Sequence, residues 1–315
     1  MVAITVSVPG KPTVNLDFAN KHPDQVTIKD VKIAIQAKFP KFVPNRQRLV
    51  FPSPSPTSTS DKPLPLTDES KPLSSYGVGD GSKLKLKDLG PQVNYRTLYL
   101  MEYIGPLILN PLLLKFSTLV WGQYEYSALQ TTVRNLLMIH FSKRFLESAF
   151  VHRFSRASAP LKFVFRNCLH YWGVSGILIG LTLYRPGYSA EALKGTIYDN
   201  PNWIKGWAIF FLVTELLNLN THLHLRSLRQ PPGQPRKYPT GLGFGLAVCA
   251  NYWFEIAGIV ALVIMTGGDI GTIVYGYLGT SMMKVWADQK YARYKKEFDP
   301  KVFPGKRYKL FPPFY

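Results

Sequence analysis

The chain has 315 residues, a formal net charge of +19 and a hydrophobic content of 46%. A basic excess of this size can indicate nucleic-acid binding, but the sequence contains no RNA- or DNA-binding motif, and its cations lie beside long apolar stretches. That pattern is typical of cytoplasmic loops in membrane proteins and of sites for phosphate-bearing ligands. The two cysteines, Cys168 and Cys249, lie in apolar segments, and their spacing predicts neither a disulfide framework nor a metal site.

The first 95 residues are polar and rich in lysine. Residues 3–8 and 13–18 alternate between apolar and polar side chains on either side of a Pro-Gly-Lys-Pro turn, which predicts a β-hairpin. Thr27 fits a helix N-cap with Asp30 three residues later, and apolar residues continue at helical spacing as far as Pro40. A helix is therefore expected after the hairpin.

Two more strands are predicted at residues 48–51 and 83–87, with a Pro/Ser/Thr-rich loop over residues 52–60. This order is that of the ubiquitin-like grasp, and residues 73–86 resemble the closing segment of ubiquitin-like domains. We therefore predict a small α+β ubiquitin-like (β-grasp) domain over residues 1–90. Because the chain continues without a terminal Gly-Gly, a docking or structural role is expected rather than conjugation.

From Leu98 onward, apolar runs of nearly membrane-spanning length recur between basic loops. They predict an α-helical polytopic membrane domain over residues 91–315, with a cytosolic C-terminal tail. The six predicted spans are residues 97–121, 127–142, 163–184, 203–224, 240–266 and 270–287. The second span is polar for a membrane helix, and the fifth is long enough to be kinked or re-entrant.

The loop charges predict the orientation of these spans. Residues 143–166 contain six Lys or Arg and one Glu. Residues 226–237 contain four Lys or Arg and no acidic residue, and residues 284–309 contain nine Lys or Arg and three acidic residues. These loops share one side of a six-span bundle, so the positive-inside rule places both termini in the cytosol. The start of the chain lacks the features of a signal peptide, which agrees with a cytosolic first domain.

A run of polar residues, Asn251, Tyr252 and Glu255, interrupts the fifth span. A charged side chain near a span centre costs roughly 2.5 to 3.5 kcal/mol, which indicates a functional site, with interhelical hydrogen bonding as the alternative. The other spans add polar groups at similar depth: Glu102, Tyr103, Asn167, His170, Tyr171, Asn218, Asn220, His222 and His224. These groups can converge only if the bundle encloses a site.

Metal and nucleotide motifs are weak or missing. His222 and His224 are two residues apart, so on a helix they face different ways, and we predict no metal site. The sequence has no Gly-x-Gly-x-x-Gly or P-loop motif. Its basic clusters can instead bind phosphates at the cytosolic face, or act only in topology and lipid contact: Arg226, Arg229, Arg236, Lys237, Lys290, Arg293, Lys295 and Lys296.

Several longer motifs run through the chain: residues 143–155, Pro160-Leu161, residues 165–168 with Tyr171-Trp172-Gly173, Glu102-Tyr103-x-Gly105-Pro106, Asn218 with His222, Leu225-Arg226-x-Leu228-Arg229, Tyr238-Pro239-Thr240, and Asn251-Tyr252 with Glu255. Together they resemble the trans-2-enoyl-CoA reductases of very-long-chain fatty acid elongation. The resemblance covers almost the whole chain, including its ubiquitin-like start. The membrane half is similar more broadly to steroid 5α-reductases, and more remotely to isoprenylcysteine methyltransferases.

The sequence departs from that family in one segment. The family usually carries a histidine where Tyr291 stands, three residues before Tyr294. The tail over residues 301–315 is also longer and more basic than the resemblance leads us to expect. These differences put the role of Tyr291 in doubt.

The resemblance implies NADPH-dependent reduction of a trans-2-enoyl-CoA to the saturated acyl-CoA. It implies Tyr252 as proton donor or oxyanion partner, with Glu102 positioning or polarising it across the bundle. It also implies a cofactor site formed by Lys143, Arg144, Arg153, Asn167, Tyr171, Asn218, His222, Arg226, Arg229, Asn251, Glu255, Tyr294 and Lys295.

The resemblance further implies a multi-pass protein of the endoplasmic reticulum membrane that works beside other fatty acid elongase components. Its expected partners are the enoyl-CoA substrate and the lipid bilayer, with no nucleic acid. Two alternatives stay open: a steroid or polyprenol reductase of the same superfamily, and a non-catalytic membrane adaptor that displays its ubiquitin-like domain. The adaptor leaves the buried polar residues without a common purpose.

Overall fold

The fold is taken from a computed structural model that describes residues 2–52, 63–154, 157–230, 234–303 and 307–315. The described residues exclude most of the predicted Pro/Ser/Thr loop, Ser155 of the longest motif and Lys306 of the basic tail. The chain divides into two units, Met1–Asn94 with Ala157–Lys162, and Tyr95–Arg156 with Phe163–Tyr315. The first unit thus includes a segment from later in the chain, and the domain boundary after residue 90 stays a prediction.

In its described residues, the first unit contains one α-helix and a five-stranded sheet. Its elements are β1 (Val2–Ser7), β2 (Val14–Phe18), α1 (Ile28–Lys38), β3 (Gln47–Phe51), β4 (Leu64–Pro65) and β5 (Lys83–Asp88). The strand order is β2-β1-β5-β3-β4, with β1 and β5 parallel and the other pairs antiparallel. The predicted hairpin, helix and two later strands agree with these elements, while the short β4 was not predicted.

Local interactions explain where α1 begins and which face it buries. The Thr27 hydroxyl accepts the Asp30 amide at 3.2 Å, and the Asp30 carboxylate accepts the Thr27 amide at 2.9 Å. This reciprocal capping box is the one predicted from sequence. Ile28, Val31 and Ile35 then bury fully against the sheet. A second, two-stranded sheet pairs β6 (Gln92–Asn94) with β7 (Ser158–Pro160).

The second unit is helical. Its helices are α2 (Tyr95–Trp121), α3 (Ala128–Leu146), α4 (Lys162–Cys168), α5 (Ile179–Leu183), α6 (Ala190–Leu193), α7 (Pro201–Ser227), α8 (Ala250–Met265) and α9 (Ile270–Glu297). Two π-helical segments, Glu147–Val151 and Leu169–Leu178, directly continue α3 and α4. Large apolar side chains are exposed on several of these helices, including Phe116, Ile209 and Tyr277.

Five of the six predicted spans coincide with helical stretches, but the fifth is wrong in its first ten residues. Residues 240–249 form turns, and α8 begins only at Ala250. Gly241, Leu242 and Gly243 all have positive φ, which interrupts a helix despite the apolar composition. The predicted kink is therefore a loop before the helix.

In the described part of the chain, one helix, Tyr95–Trp121, is long and apolar enough to cross a membrane. Ala250–Met265 is apolar but shorter. Helix α7 is long enough, yet it buries Glu215, Asn218 and His222, and such residues lower its mean hydropathy. The count of six spans stays a prediction.

A close helix contact explains one motif glycine. A Cβ atom on Gly105 of α2 would lie 2.2 Å from the indole ring of Trp172, which is far inside van der Waals contact. The Trp172 indole also donates to the Met101 carbonyl at 2.8 Å. Glycine at this position therefore lets α2 pack directly on the second π-helical segment and places Glu102 in the interior.

We expect Ile35→Ala to destabilise the first unit by about 2 to 5 kcal/mol, because Ile35 is fully buried and truncation leaves a cavity. The matched control is Ile33→Ala on the same helix, where the side chain is 48% exposed. Amide hydrogen exchange of β1 and β5 in the full chain measures the difference. Equal protection in the two variants would contradict the packing described here.

Candidate functional site

The interior of the helical unit contains a pair of polar side chains from α2 and α4. Glu102 is 1% exposed, and the Asn167 side-chain amide donates to its carboxylate at 2.6 Å. Both residues belong to the predicted site. The pair joins the start of α2 to the last turn of α4, just before the backbone becomes π-helical.

Arg144, near the end of α3, connects three elements. Its guanidinium donates to the Tyr103 hydroxyl of α2 at 3.0 Å and to the Glu147 carboxylate at 2.9 Å. It also lies 3.3 Å from Nδ1 of His222 on α7. Its Nε atom is buried and has no hydrogen-bond partner within the described residues. The Arg144 guanidinium is therefore held in place by three contacts, while one of its N–H donors has no partner within the described residues.

Glu147, the first residue of the π-helical segment after α3, carries the balancing charge. Its carboxylate lies 3.0 Å from Nδ1 of His222, and the His152 and His222 rings are 5.0 Å apart. Burial opposes ionisation of Glu147, but the hydrogen bond with His222 and the charges of Arg144 and Lys143 hold its pKa well below the usual range. Burial, with the Arg144 charge, lowers the pKa of His152 to about 3, so that imidazole is neutral near pH 7.

A second buried ionic group lies between α3 and α7. Glu215 lies 2.9 Å from both His140 Nδ1 and Lys143 Nζ. Lys143 also donates to the Asn218 side chain, whose amide donates to the Asn251 carbonyl of α8 at 2.8 Å. The group thus links α3, α7 and the first turn of α8 through hydrogen bonds and ion pairs.

The predicted residues of α8 stand at the end of this linkage. Asn251 is buried, and its side-chain oxygen has no hydrogen-bond partner among the residues described. Tyr252 is half-buried, with its ring 6.2 Å from that of Trp286. Glu255, one turn later, has no hydrogen bond or ion pair in the described part of the chain and lines a small interior cavity with His140 and Glu215.

The structure therefore brings together a core subset of the predicted site residues: Lys143, Arg144, Asn218, His222 and Asn251. Tyr171 lies beside this subset, with its ring 5.1 Å from that of Tyr103. The predicted pairing of Tyr252 with Glu102 has no hydrogen bond in the described residues. Glu102 is bonded to Asn167 instead, and its relation to Tyr252 stays a prediction.

Other predicted residues lie away from the buried network. Arg153, Arg226, Arg229 and Lys295 are exposed. Tyr294 is buried on α9, where its ring packs against Tyr238 at 5.5 Å between centroids. Exposed arginines and lysines suit mobile phosphate groups better than a fixed interior contact. Their role in cofactor binding stays a prediction.

Sequence reasoning missed two members of the network, His140 and Glu215. Glu215 is an ionisable residue inside the predicted fourth span, and that position alone indicates a functional or structural partner in the bundle. His140 lies three residues before Lys143, on the same face of α3, where it can share the Glu215 carboxylate. Glu147 and His152 belong to the longest motif, residues 143–155, but neither residue is assigned a role in the site from the sequence.

Glu147, His152 and His222 also have the side chains of a metal site, with candidate ligand atoms all within 4.8 Å of one another. The Arg144 guanidinium, however, already contacts both Glu147 and His222. A fixed cation at this place balances the carboxylate and repels a second positive charge. The absence of a metal site stays a prediction.

An open apolar groove of about 610 Å³ lies along α3, and Lys143 and Glu147 are part of its lining. The apolar lining comes from α3, the first π-helical segment and α7: Met138, Ile139, Leu146, Phe150, Val151 and Leu219. Phe150 is 71% exposed there. The groove places an apolar surface beside the charged interior network.

We expect Glu215→Ala to lower the free energy of unfolding by about 3 to 5 kcal/mol, because it leaves Lys143 and His140 buried without their anion. Thermal unfolding in detergent measures the change. Glu191→Ala, at an exposed position on α6, is the control and should differ little from the parent chain. A Glu215 variant as stable as the control would show that the network adds nothing to stability.

Comparisons with known proteins identify the family of the chain. A model of the family described as 3-oxo-5-alpha-steroid 4-dehydrogenase matches residues 157–315. The chain is 32% identical to the very-long-chain enoyl-CoA reductase of Dictyostelium discoideum over 287 residues, which cover 91% of each chain. It is 38% identical to a Schizosaccharomyces pombe protein provisionally named as an enoyl reductase, over 77% of this chain and 79% of that one.

A human protein named trans-2,3-enoyl-CoA reductase-like is 26% identical over 87% of this chain and 73% of its own length. The family predicted from the motifs is confirmed by these matches. The chain belongs to the 3-oxo-5-alpha-steroid 4-dehydrogenase family, together with its members named very-long-chain enoyl-CoA reductases.

Proposed function

We propose that this protein reduces trans-2-enoyl-CoA to the saturated acyl-CoA with NADPH, as the last step of the very-long-chain fatty acid elongation cycle. The observation that carries the proposal is the similarity to the Dictyostelium reductase over 91% of both chains. A match of that extent covers far more than a single motif. The buried network of motif residues supports it by supplying an interior site for polar chemistry.

The reaction needs a proton donor and a group that stabilises negative charge. Addition of hydride at C3 of the enoyl thioester places charge on the thioester oxygen, and a proton must then reach C2. Tyr252 is our candidate donor, because its hydroxyl makes no hydrogen bond in the described residues and stays available for a ligand. Glu102, which accepts a hydrogen bond from Asn167, is our candidate for positioning or polarising Tyr252.

Two buried atoms fit a nicotinamide cofactor, which supplies the hydride when bound. Within the described residues, Arg144 Nε is a donor without a partner and Asn251 Oδ1 is an acceptor without a partner. A buried polar atom without a partner costs about 1 to 3 kcal/mol, so a ligand that satisfies both gains that energy on binding. Lys143, Asn218 and His222 would fix these two residues in place.

The cofactor phosphates need cations outside the core. Arg229 is near Arg236, Arg293 and Tyr294, so several positive groups meet at one end of the helices. The remaining proposed cofactor contacts are Arg153, Asn167, Tyr171, Arg226, Glu255, Tyr294 and Lys295. Selectivity for NADPH over NADH would come from cations that face the additional phosphate.

The acyl chain needs an apolar surface that reaches this interior. The groove beside α3 provides such a surface, and its lining includes Lys143 and Glu147 of the network. We place the acyl chain there, at the boundary with the bilayer. The protein is then a multi-pass enzyme of the endoplasmic reticulum membrane with both termini in the cytosol, where it meets CoA, NADPH and other elongase components.

Reduction of a steroid or polyprenol double bond is the second candidate. The description of the matching family favours it, since that family is named for a steroid substrate. Full-length relatives named as enoyl-CoA reductases favour the acyl-CoA substrate. An assay of purified protein with NADPH and each substrate class separates the two, and turnover of steroid alone would overturn our proposal.

We expect Tyr252→Phe to lower kcat by about 100-fold or more, because general acid catalysis contributes roughly that factor. Loss of nicotinamide absorbance with a long trans-2-enoyl-CoA measures the rate. The matched control is Tyr277→Phe, where the side chain is 72% exposed on α9. Full turnover in correctly folded Tyr252→Phe would remove Tyr252 as the acid without changing the family.

We expect Phe150→Trp to raise KM for long-chain enoyl-CoA several-fold while short-chain substrates are unaffected, because the larger ring fills the groove. Phe116→Trp is the control, at an exposed phenylalanine of α2. A series of substrates of increasing chain length measures the effect. An unchanged chain-length profile would place the acyl chain elsewhere.

A further inference from the structure

Residues 307–315 pack against the segment that leads into α8. The Tyr308 carbonyl accepts the Val248 amide at 2.9 Å, and the Lys309 carbonyl accepts the Cys249 amide at 3.2 Å. Arg307 donates to the Phe244 carbonyl at 2.6 Å. These bonds involve the tail that is longer and more basic than the family resemblance leads us to expect. The proposed reaction does not explain them.

Helix α8 needs such support at its start. The first amides of a helix have no partner inside the helix, and the tail carbonyls bind the two residues just before α8, Val248 and Cys249, through their amides. Cys249, which precedes α8, makes no side-chain capping bond to the part of the chain that the structure describes. The loop before it includes Gly241 and Gly243, both with positive φ. The tail therefore restrains a loop that has little regular structure of its own.

The tail is in turn held on α9 by a group of polar side chains around Asp288. Lys309 donates to the Asp288 carboxylate at 2.7 Å, and the Tyr315 hydroxyl donates to the same oxygen. Lys284 donates to the Tyr315 hydroxyl at 3.0 Å. Hydrogen bonds from Lys309 and Tyr315 lower the pKa of Asp288 to about 2, so the carboxylate is ionised near neutral pH.

The side chain of Leu310 adds an apolar contact. It is fully buried in the same core that contains Val248 and Cys249. The backbone between Leu310 and Tyr315 closes on itself, since the Leu310 and Phe311 amides both donate to the Tyr315 carbonyl. The tail is thus a folded hook, fastened by Leu310 in the core and by polar bonds on α9.

We propose that Asp288, Lys309 and Tyr315 are positioning residues that hold this hook against the start of α8 and thereby fix its first turn. That turn carries Asn251 and Tyr252. The roles of Asn251 in cofactor binding and of Tyr252 as proton donor rest on the proposed function. The hook acts on the reaction through the backbone of α8, with no contact to substrate.

The experiment compares Lys309→Met with Lys309→Arg in the full chain. Methionine keeps most of the side-chain stem but loses the bond to Asp288, whereas arginine retains a donor. We expect Lys309→Met to accelerate amide exchange of residues 248–252 at least fivefold and to lower kcat several-fold, with less than twofold change in KM for the enoyl-CoA. Lys309→Arg should restore both, and Tyr315→Phe should reproduce the methionine result more weakly.

Several outcomes would overturn the proposal. Unchanged exchange at residues 248–252 in both Lys309→Met and Tyr315→Phe would show that the hook does not restrain α8. Faster exchange across α2 as well would indicate general loss of structure, and faster local exchange with full kcat would show that the restraint has no bearing on the reaction. Absence of turnover in the parent chain would instead refute the proposed function, while the exchange data would still decide whether the hook fixes α8.

Discussion

The ion pairs buried where α3 meets α7 are the constraint on which the helical unit depends. Lys143, Arg144, Glu147 and Glu215 all lie in the interior, and each loses its hydration on folding. Removal of charge from water is offset only when partners stand at good geometry. The helices must therefore keep one relative arrangement, and the positions of Tyr103, Asn218 and Asn251 follow from it.

The first π-helical segment makes this arrangement possible. A π-turn shifts the side chains that follow it around the helix axis, and such turns are frequent at functional sites. Here the segment begins at Glu147 and is followed by His152, which lies beside His222 of α7. A regular α-helix over the same residues would direct His152 elsewhere. The second π-helical segment follows Asn167 in the same way.

Sequence patterns predicted most local structure because local structure depends on neighbours along the chain. The capping box at Thr27 and the strand alternation of the first unit are examples. The start of α8 was missed because residues 240–249 are apolar, while positive φ at Gly241, Leu242 and Gly243 makes them a loop. The Glu215 network was missed because its partners come from another helix, and spacing within one helix does not identify them. Motif resemblance supplied several site residues, but not their pairings.

Interhelical hydrogen bonding and ligand binding, the two interpretations of the polar run in α8, both have a physical basis in the structure. The Asn218 amide bonds to the Asn251 backbone carbonyl, which ties α7 to α8. If the run served only that purpose, the Asn251 side chain would have its own partner, because buried polar atoms are normally satisfied. Among the residues that the structure describes, its oxygen has no hydrogen-bond partner, and neither does Arg144 Nε. The same residue thus fixes the helices through its backbone and leaves its side chain available for a ligand.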